Sequence, residues 1–82
     1  MRILFFGRLG EAAGCNEMNV APPADVRTVA ALRQWLAHTR PELRDHLDGP
    51  GVRVALDRQF CSGDAALAGA AEIAFMSPLS GG

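Results

Sequence analysis

Only one stretch of this chain carries its apolar residues at helical spacing across several turns. Val29, Leu32 and Leu36 recur at i, i+3 and i+7, which draws a single apolar stripe along a single helix. Thr28 stands just before that stripe with a side-chain oxygen suited to an N-cap, and the pattern predicts a helix ending near Thr39. The remaining bulky residues fall in short runs that read as strands. Arg2 to Phe6 is a dense apolar run bounded by Gly7, and Asn16 to Val20 alternates with Met18 and Val20 on one side. Val52 to Leu56 has a period of two, with Val52, Val54 and Leu56 on the core side and Arg53 and Ala55 on the other. Asp57-Arg58 fits a tight turn into Gln59-Phe60-Cys61, and Glu72 to Met76 closes the series with Ile73 and Phe75 sharing one parity.

The connections are short. Arg8 to Cys15, with two glycines, reads as a loop containing a helical turn, and Ala21-Pro22-Pro23-Ala24 breaks the second strand. Pro41 opens a short second helix that turns Leu43 and Leu47 inward and ends at Gly49-Pro50-Gly51. The order β-β-α-β-β-β leaves one helix to cover one sheet. The fold class expected is α+β, a ubiquitin-like β-grasp. It has a mixed sheet of about five strands packed on one main helix, plus the short second helix. Residues 1–77 form that domain and residues 78–82 a flexible tail.

Composition removes several functions. The 82 residues make one thin core, since fourteen of the apolar residues are alanine and only four Phe and one Trp add bulk. A net charge of −1 takes away the electrostatic basis of a dedicated nucleic-acid binder. No apolar run approaches about 20 residues, so no membrane segment is expected, and a cytoplasmic location follows. Cys15 and Cys61, 46 residues apart without histidines at ligand spacing, do not make a zinc site and are expected as free thiols. His38 and His46 fall on polar helix faces. No bound cofactor is expected. Lysine is absent altogether, which removes lysine-based covalent chemistry and any lysine-linked chain of this protein with itself.

The chemistry that remains sits in Ser77-Pro78-Leu79-Ser80-Gly81-Gly82. Pro78 cannot donate to a sheet and biases Ser77 toward an extended backbone, so the chain leaves the sheet there. Two final residues without Cβ make a thin thread that fits a narrow channel, tipped by a carboxylate. That carboxylate is a poor electrophile until an adenylating enzyme converts it to an acyl-adenylate, and the tail would then be a substrate. The residues alone equally allow a frayed terminus at which glycine is tolerated. Strand parity adds a surface. With Ile73 and Phe75 inward, Met76 points out, as does one of Phe5 and Phe6. Phe6, Phe60 and Met76 would then form an exposed apolar patch near the tail, either for docking or as caps on the core edge. Arg2, Arg8 and Arg53 are its candidate rim. Trp35, on the flank of the helix stripe, reads as half-buried packing or as a partner contact.

The opening Ile3-Leu4-Phe5-Phe6-Gly7-Arg8-Leu9-Gly10-Glu11-Ala12-Ala13-Gly14, the helix start Thr28-Val29-Ala30-Ala31-Leu32 and the ending Pro78-Leu79-Ser80-Gly81-Gly82 resemble the MoaD family, the small sulfur-carrying subunits of molybdopterin synthase. The resemblance implies a non-catalytic carrier. A ubiquitin-activating-like adenylyltransferase would consume ATP to adenylate Gly82 and convert it to a thiocarboxylate. The tail would then enter the large synthase subunit, in a heterotetramer of two small and two large chains, and give sulfur to cyclic pyranopterin monophosphate to build the dithiolene. Gly82 would bear the sulfur and Gly81 would be the spacer, while Phe6, Phe60, Met76, Pro78, Leu79 and Ser80 would meet partners. Two departures stand out. Gly10 occupies a place where Arg is common, and Gly69-Ala70-Ala71 replaces a frequent Asp-Gly-Asp. Carriers for thiazole or thiolated-tRNA synthesis, and ubiquitin-like modules with an unmodified end, are the alternative readings.

Overall fold

The computed structural model describes residues 1–49 and 51–77, so Pro50 and the whole predicted tail, Pro78, Leu79, Ser80, Gly81 and Gly82, lie outside the described residues. The elements run β1 (Arg2–Phe6), α1 (Arg8–Ala13), β2 (Glu17–Asn19), α2 (Val29–Thr39), a 3-10 turn (Pro41–Leu43) leading into α3 (Arg44–Leu47), β3 (Arg53–Leu56), β4 (Gln59–Cys61) and β5 (Glu72–Met76). The five strands form one sheet in the order β2-β1-β5-β3-β4. Its first and last strands pair in parallel at the centre, and the other neighbours are antiparallel. This is the expected mixed-sheet α+β architecture.

Local chemistry sets most boundaries. Thr28 caps α2, its Oγ1 accepting the Ala31 N–H at 3.1 Å. The stripe Val29, Leu32 and Leu36 is buried against Ile3, Phe5, Val54, Ile73 and Phe75, each large side chain contributing about 1.5–3 kcal/mol on burial. Phe5 and Phe75 face each other across the parallel pair with ring centroids 6.3 Å apart. Leu43 and Leu47 are fully buried, as the spacing after Pro41 predicts. Asp57 and Arg58 have φ of 47° and 71°, the double positive φ that a two-residue hairpin with the sheet's own twist requires.

Two details differ from the sequence reading. Arg8–Ala13 is a regular helix, because Leu9 and Ala13, one turn apart, both reach the core. Gly10 inside it is buried, and a Cβ there would stand 2.8 Å from Asn16 Oδ1, so the position faces the β1–β2 side. Val52 precedes β3, since its N–H is used in a turn to Gly49 O at 3.3 Å. Ala70 N–H still closes a turn onto Leu67 O at 2.9 Å in the altered 69–71 segment. Trp35 packs half-buried against the core edge.

Candidate functional site

Pleating sends alternate residues to the face opposite α2, and the registers arrange them in rows across the strands. Arg53, Met76 and Phe6 make one row, from β3 through β5 to β1. Phe60, Ala55, Ala74, Leu4 and Glu17 make the next, spanning all five strands. Glu72, Arg2 and Asn19 make the third. Two alanines in the middle row leave a trough between larger neighbours. The resulting groove holds about 430 Å³, and Phe6, Phe60 and Met76 all line it. Phe6 is 50% and Phe60 60% exposed, while Ala55 and Ala74 are buried at its floor. The three residues singled out from parity therefore meet on one surface, and Phe6 rather than Phe5 is the one that leaves the core.

Charges close the groove. The Arg53 guanidinium lies 4.0 Å from the centre of the Phe60 ring, a cation–π contact worth about 0.5–1 kcal/mol at an exposed site. At the other end, Glu72 is 8% exposed. Arg2 Nη2 donates to its Oε2 at 2.6 Å, and Arg58 Nε stands 4.0 Å from its Oε1. The hydrogen bond to Glu72 first, then the charges of Glu72 and Glu17, raise the pKa of the Arg2 guanidinium above its ordinary value. Asp57 Oδ1 accepts the N–H groups of Ala71 and Glu72, both at 3.0 Å, which ties the β3–β4 turn to the start of β5. Arg58 and Glu72 did not emerge from the sequence reading. The strand parity that exposed Met76 also places Glu72 on this face, and the Asp57-Arg58 turn signal marked the other partner.

The chain leaves this face at a built junction. Ser77 Oγ accepts the Arg8 N–H at 3.0 Å and donates to Phe6 O at 3.3 Å. Gly7 makes the close approach possible, with φ of 66° and ψ of −140°, since a Cβ there would stand 2.1 Å from Ser77 Oγ. Of the predicted rim, Arg2 lines the groove and Arg53 lies over the Phe60 ring, while the backbone of Arg8 holds Ser77. Gly81, Gly82, Pro78, Leu79 and Ser80 lie beyond the described residues, and Ser77 fixes only where they begin. His38 and His46 are exposed. Cys15 and Cys61 are unbonded and partly buried. Among the described residues no group of His, Cys, Asp and Glu is placed to hold a metal ion, and no helix is long and apolar enough to cross a membrane.

The ThiS family model matches residues 3–82. The chain is 33% identical over 82 residues to the molybdopterin synthase sulfur carrier subunit of Escherichia coli, covering 100% of this chain and 99% of that one. Among solved structures it is similar to SAMP1 of Haloferax volcanii, with a TM-score of 0.83 and 25% identity over 100% of this chain and 98% of that one. A crystal structure of the small archaeal modifier protein 1 from the same organism superposes with a TM-score of 0.78 and 26% identity, over 96% and 97% of the two chains.

Proposed function

The chain belongs to the ThiS family of sulfur carriers, and from that premise we propose that it is the sulfur-carrying subunit of a molybdopterin synthase. The observation that carries this reading is the full-length likeness to the Escherichia coli sulfur carrier. In the proposed cycle a Gly82 carboxylate oxygen attacks the α-phosphorus of ATP on an adenylyltransferase, and pyrophosphate leaves. A sulfur nucleophile then displaces AMP, leaving a thiocarboxylate. On the large subunit the thiocarboxylate sulfur bonds to a side-chain carbon of the pterin precursor as an oxygen substituent leaves. Water then cleaves the acyl–sulfur bond, so the sulfur stays on the pterin and Gly82 returns to a carboxylate. Gly81 serves as the slender spacer, Pro78, Leu79 and Ser80 as the segment that lines the partner's channel. The Gly7–Ser77 junction gives that segment a fixed origin beside Phe6 and Met76. Phe6, Phe60 and Met76 form the face that docks on the large subunit, where the chemistry is completed. A contiguous apolar patch of this kind, with Phe6 and Phe60 half exposed or more, is typical of contact surfaces.

Intact-mass measurement after incubation with the adenylyltransferase, ATP and a sulfur donor tests the reading. An oxygen-to-sulfur exchange that maps to Gly82 and disappears when Gly82 is deleted supports it, and an unchanged mass rejects it. Phe6→Ala is expected to weaken association with the large subunit while thermal unfolding stays close to wild type, because the ring is half exposed. A variant that unfolds instead assigns Phe6 to the core. The likeness to the small archaeal modifier protein favours a second reading, attachment of the same carboxyl terminus to other proteins. Covalent adducts of higher mass formed from the activated chain, without sulfur delivery to the pterin precursor, would select it.

A further inference from the structure

Arg58 stands where a hairpin of this type folds best with glycine. Its φ of 71° is the second of two positive values in a two-residue turn, and a side chain with a Cβ is strained there. The folded chain takes little in return. The Arg58 side chain is 86% exposed, and its contact within the chain is a distant one, 4.0 Å from Glu72. Glu72 is already engaged at 2.6 Å by Arg2. One buried carboxylate thus faces two guanidiniums, and the outer of the two is left over. Asp57 does not compete for it, because its Oδ1 is turned to the backbone N–H groups of Ala71 and Glu72. Those same two bonds tie the turn to the start of β5, which puts Arg58 on the lip of the groove that also holds Phe6, Phe60 and Met76. The hairpin needs this backbone but not this side chain, and a Cβ-bearing residue kept at a strained position without a close contact inside the fold points to a binding role.

We propose that Arg58 is a specificity residue of the docking face, receiving a carboxylate of the large synthase subunit at the edge of the apolar groove. This rests on the functional reading above and adds the chemistry of the partner, an apolar ridge for the trough flanked by an acidic side chain at the Glu72 end. The arrangement steers association as well as holding the complex, since an exposed guanidinium at the rim of an apolar contact acts mainly on encounter.

Two variants of the full chain test it, with the large subunit from the same organism as the binding partner. Arg58→Gly is expected to raise the thermal midpoint and to weaken binding about fivefold to tenfold, whereas Arg58→Glu weakens it further by placing like charges together. The wild-type association rate is expected to fall more steeply with salt than that of Arg58→Gly. Opposite movement of stability and affinity is the signature, because a residue kept for folding would lower both. Unchanged affinity in both variants, or a lower midpoint in Arg58→Gly, overturns the proposal while the wild-type complex keeps the functional reading intact. Failure of the wild-type chain to bind the large subunit overturns that reading and this one together.

Discussion

Replacing Gly7 by alanine tests how the sheet sets the origin of the terminal segment. The φ of 66° and ψ of −140° at Gly7 fall in a region comfortable only for glycine, so a Cβ costs about 1–3 kcal/mol in backbone strain. That Cβ would also come 2.1 Å from Ser77 Oγ, which forces the hydroxyl away from Arg8 N–H and Phe6 O. Losing those exposed bonds adds about 1 kcal/mol. The expected total, about 3 kcal/mol, is a large part of the roughly 4–12 kcal/mol typical of a chain this long. It corresponds to a midpoint lowered by about 12–24 °C. Urea unfolding followed through Trp35, the single tryptophan, supplies the free energies. The decisive measurement is a cycle with Ser77→Ala. Alone, Ser77→Ala costs about 1 kcal/mol. Added to Gly7→Ala it should cost almost nothing, because the bonds it removes are already broken. Simple additivity of the two losses, or a Gly7→Ala variant as stable as wild type, would refute the idea that these residues form one latch.

Thr28→Ala removes the hydroxyl that accepts Ala31 N–H, and a loss of about 1 kcal/mol in unfolding free energy is expected by the same urea assay. At the other end of the helical layer, Glu42 has its pKa lowered from an ordinary value of 4.5, first by a hydrogen bond from its own backbone and then by Arg40. A carboxyl lowered on folding adds stability above its ordinary value and loses it as the pH falls through the folded one. Glu42→Gln should therefore reduce stability at neutral pH and flatten the decline below pH 4.5, which a pH series of unfolding midpoints measures.

Much of this architecture was readable in one dimension because each signal was local. The α2 stripe, its Thr28 cap, the inward Leu43 and Leu47, and the shared parity of Ile73 and Phe75 all follow from side-chain spacing and first-neighbour chemistry. Parity also carried Phe6, Phe60 and Met76 to one face, although only the registers could show that Ala55 and Ala74 lie between them as a floor. What stayed hidden depends on partners distant in sequence. Arg8–Ala13 is too short and glycine-bearing to announce a helix, and it is packing of Leu9 and Ala13 on the core that makes it one. The Glu72–Arg2 pair joins positions 70 residues apart. The Gly7–Ser77 contact is likewise a product of β1 and β5 ending side by side, which no spacing rule reveals. Gly81 and Gly82, singled out for their chemistry, lie outside the described residues.

The parallel alignment of β1 and β5 sets the timing of assembly. The middle of the sheet is supplied by residues 72–76, and until they arrive the amino-terminal hairpin and the β3–β4 hairpin have no common neighbour. A growing polypeptide can form α2 early, but it cannot join its two hairpins before residues 72–76 are made. Closure then pairs Arg2 with Glu72 in a single long-range step, the kind of contact that slows folding most. The Ser77 latch onto Arg8 and Phe6 therefore forms only in the same event that brings β1 and β5 together.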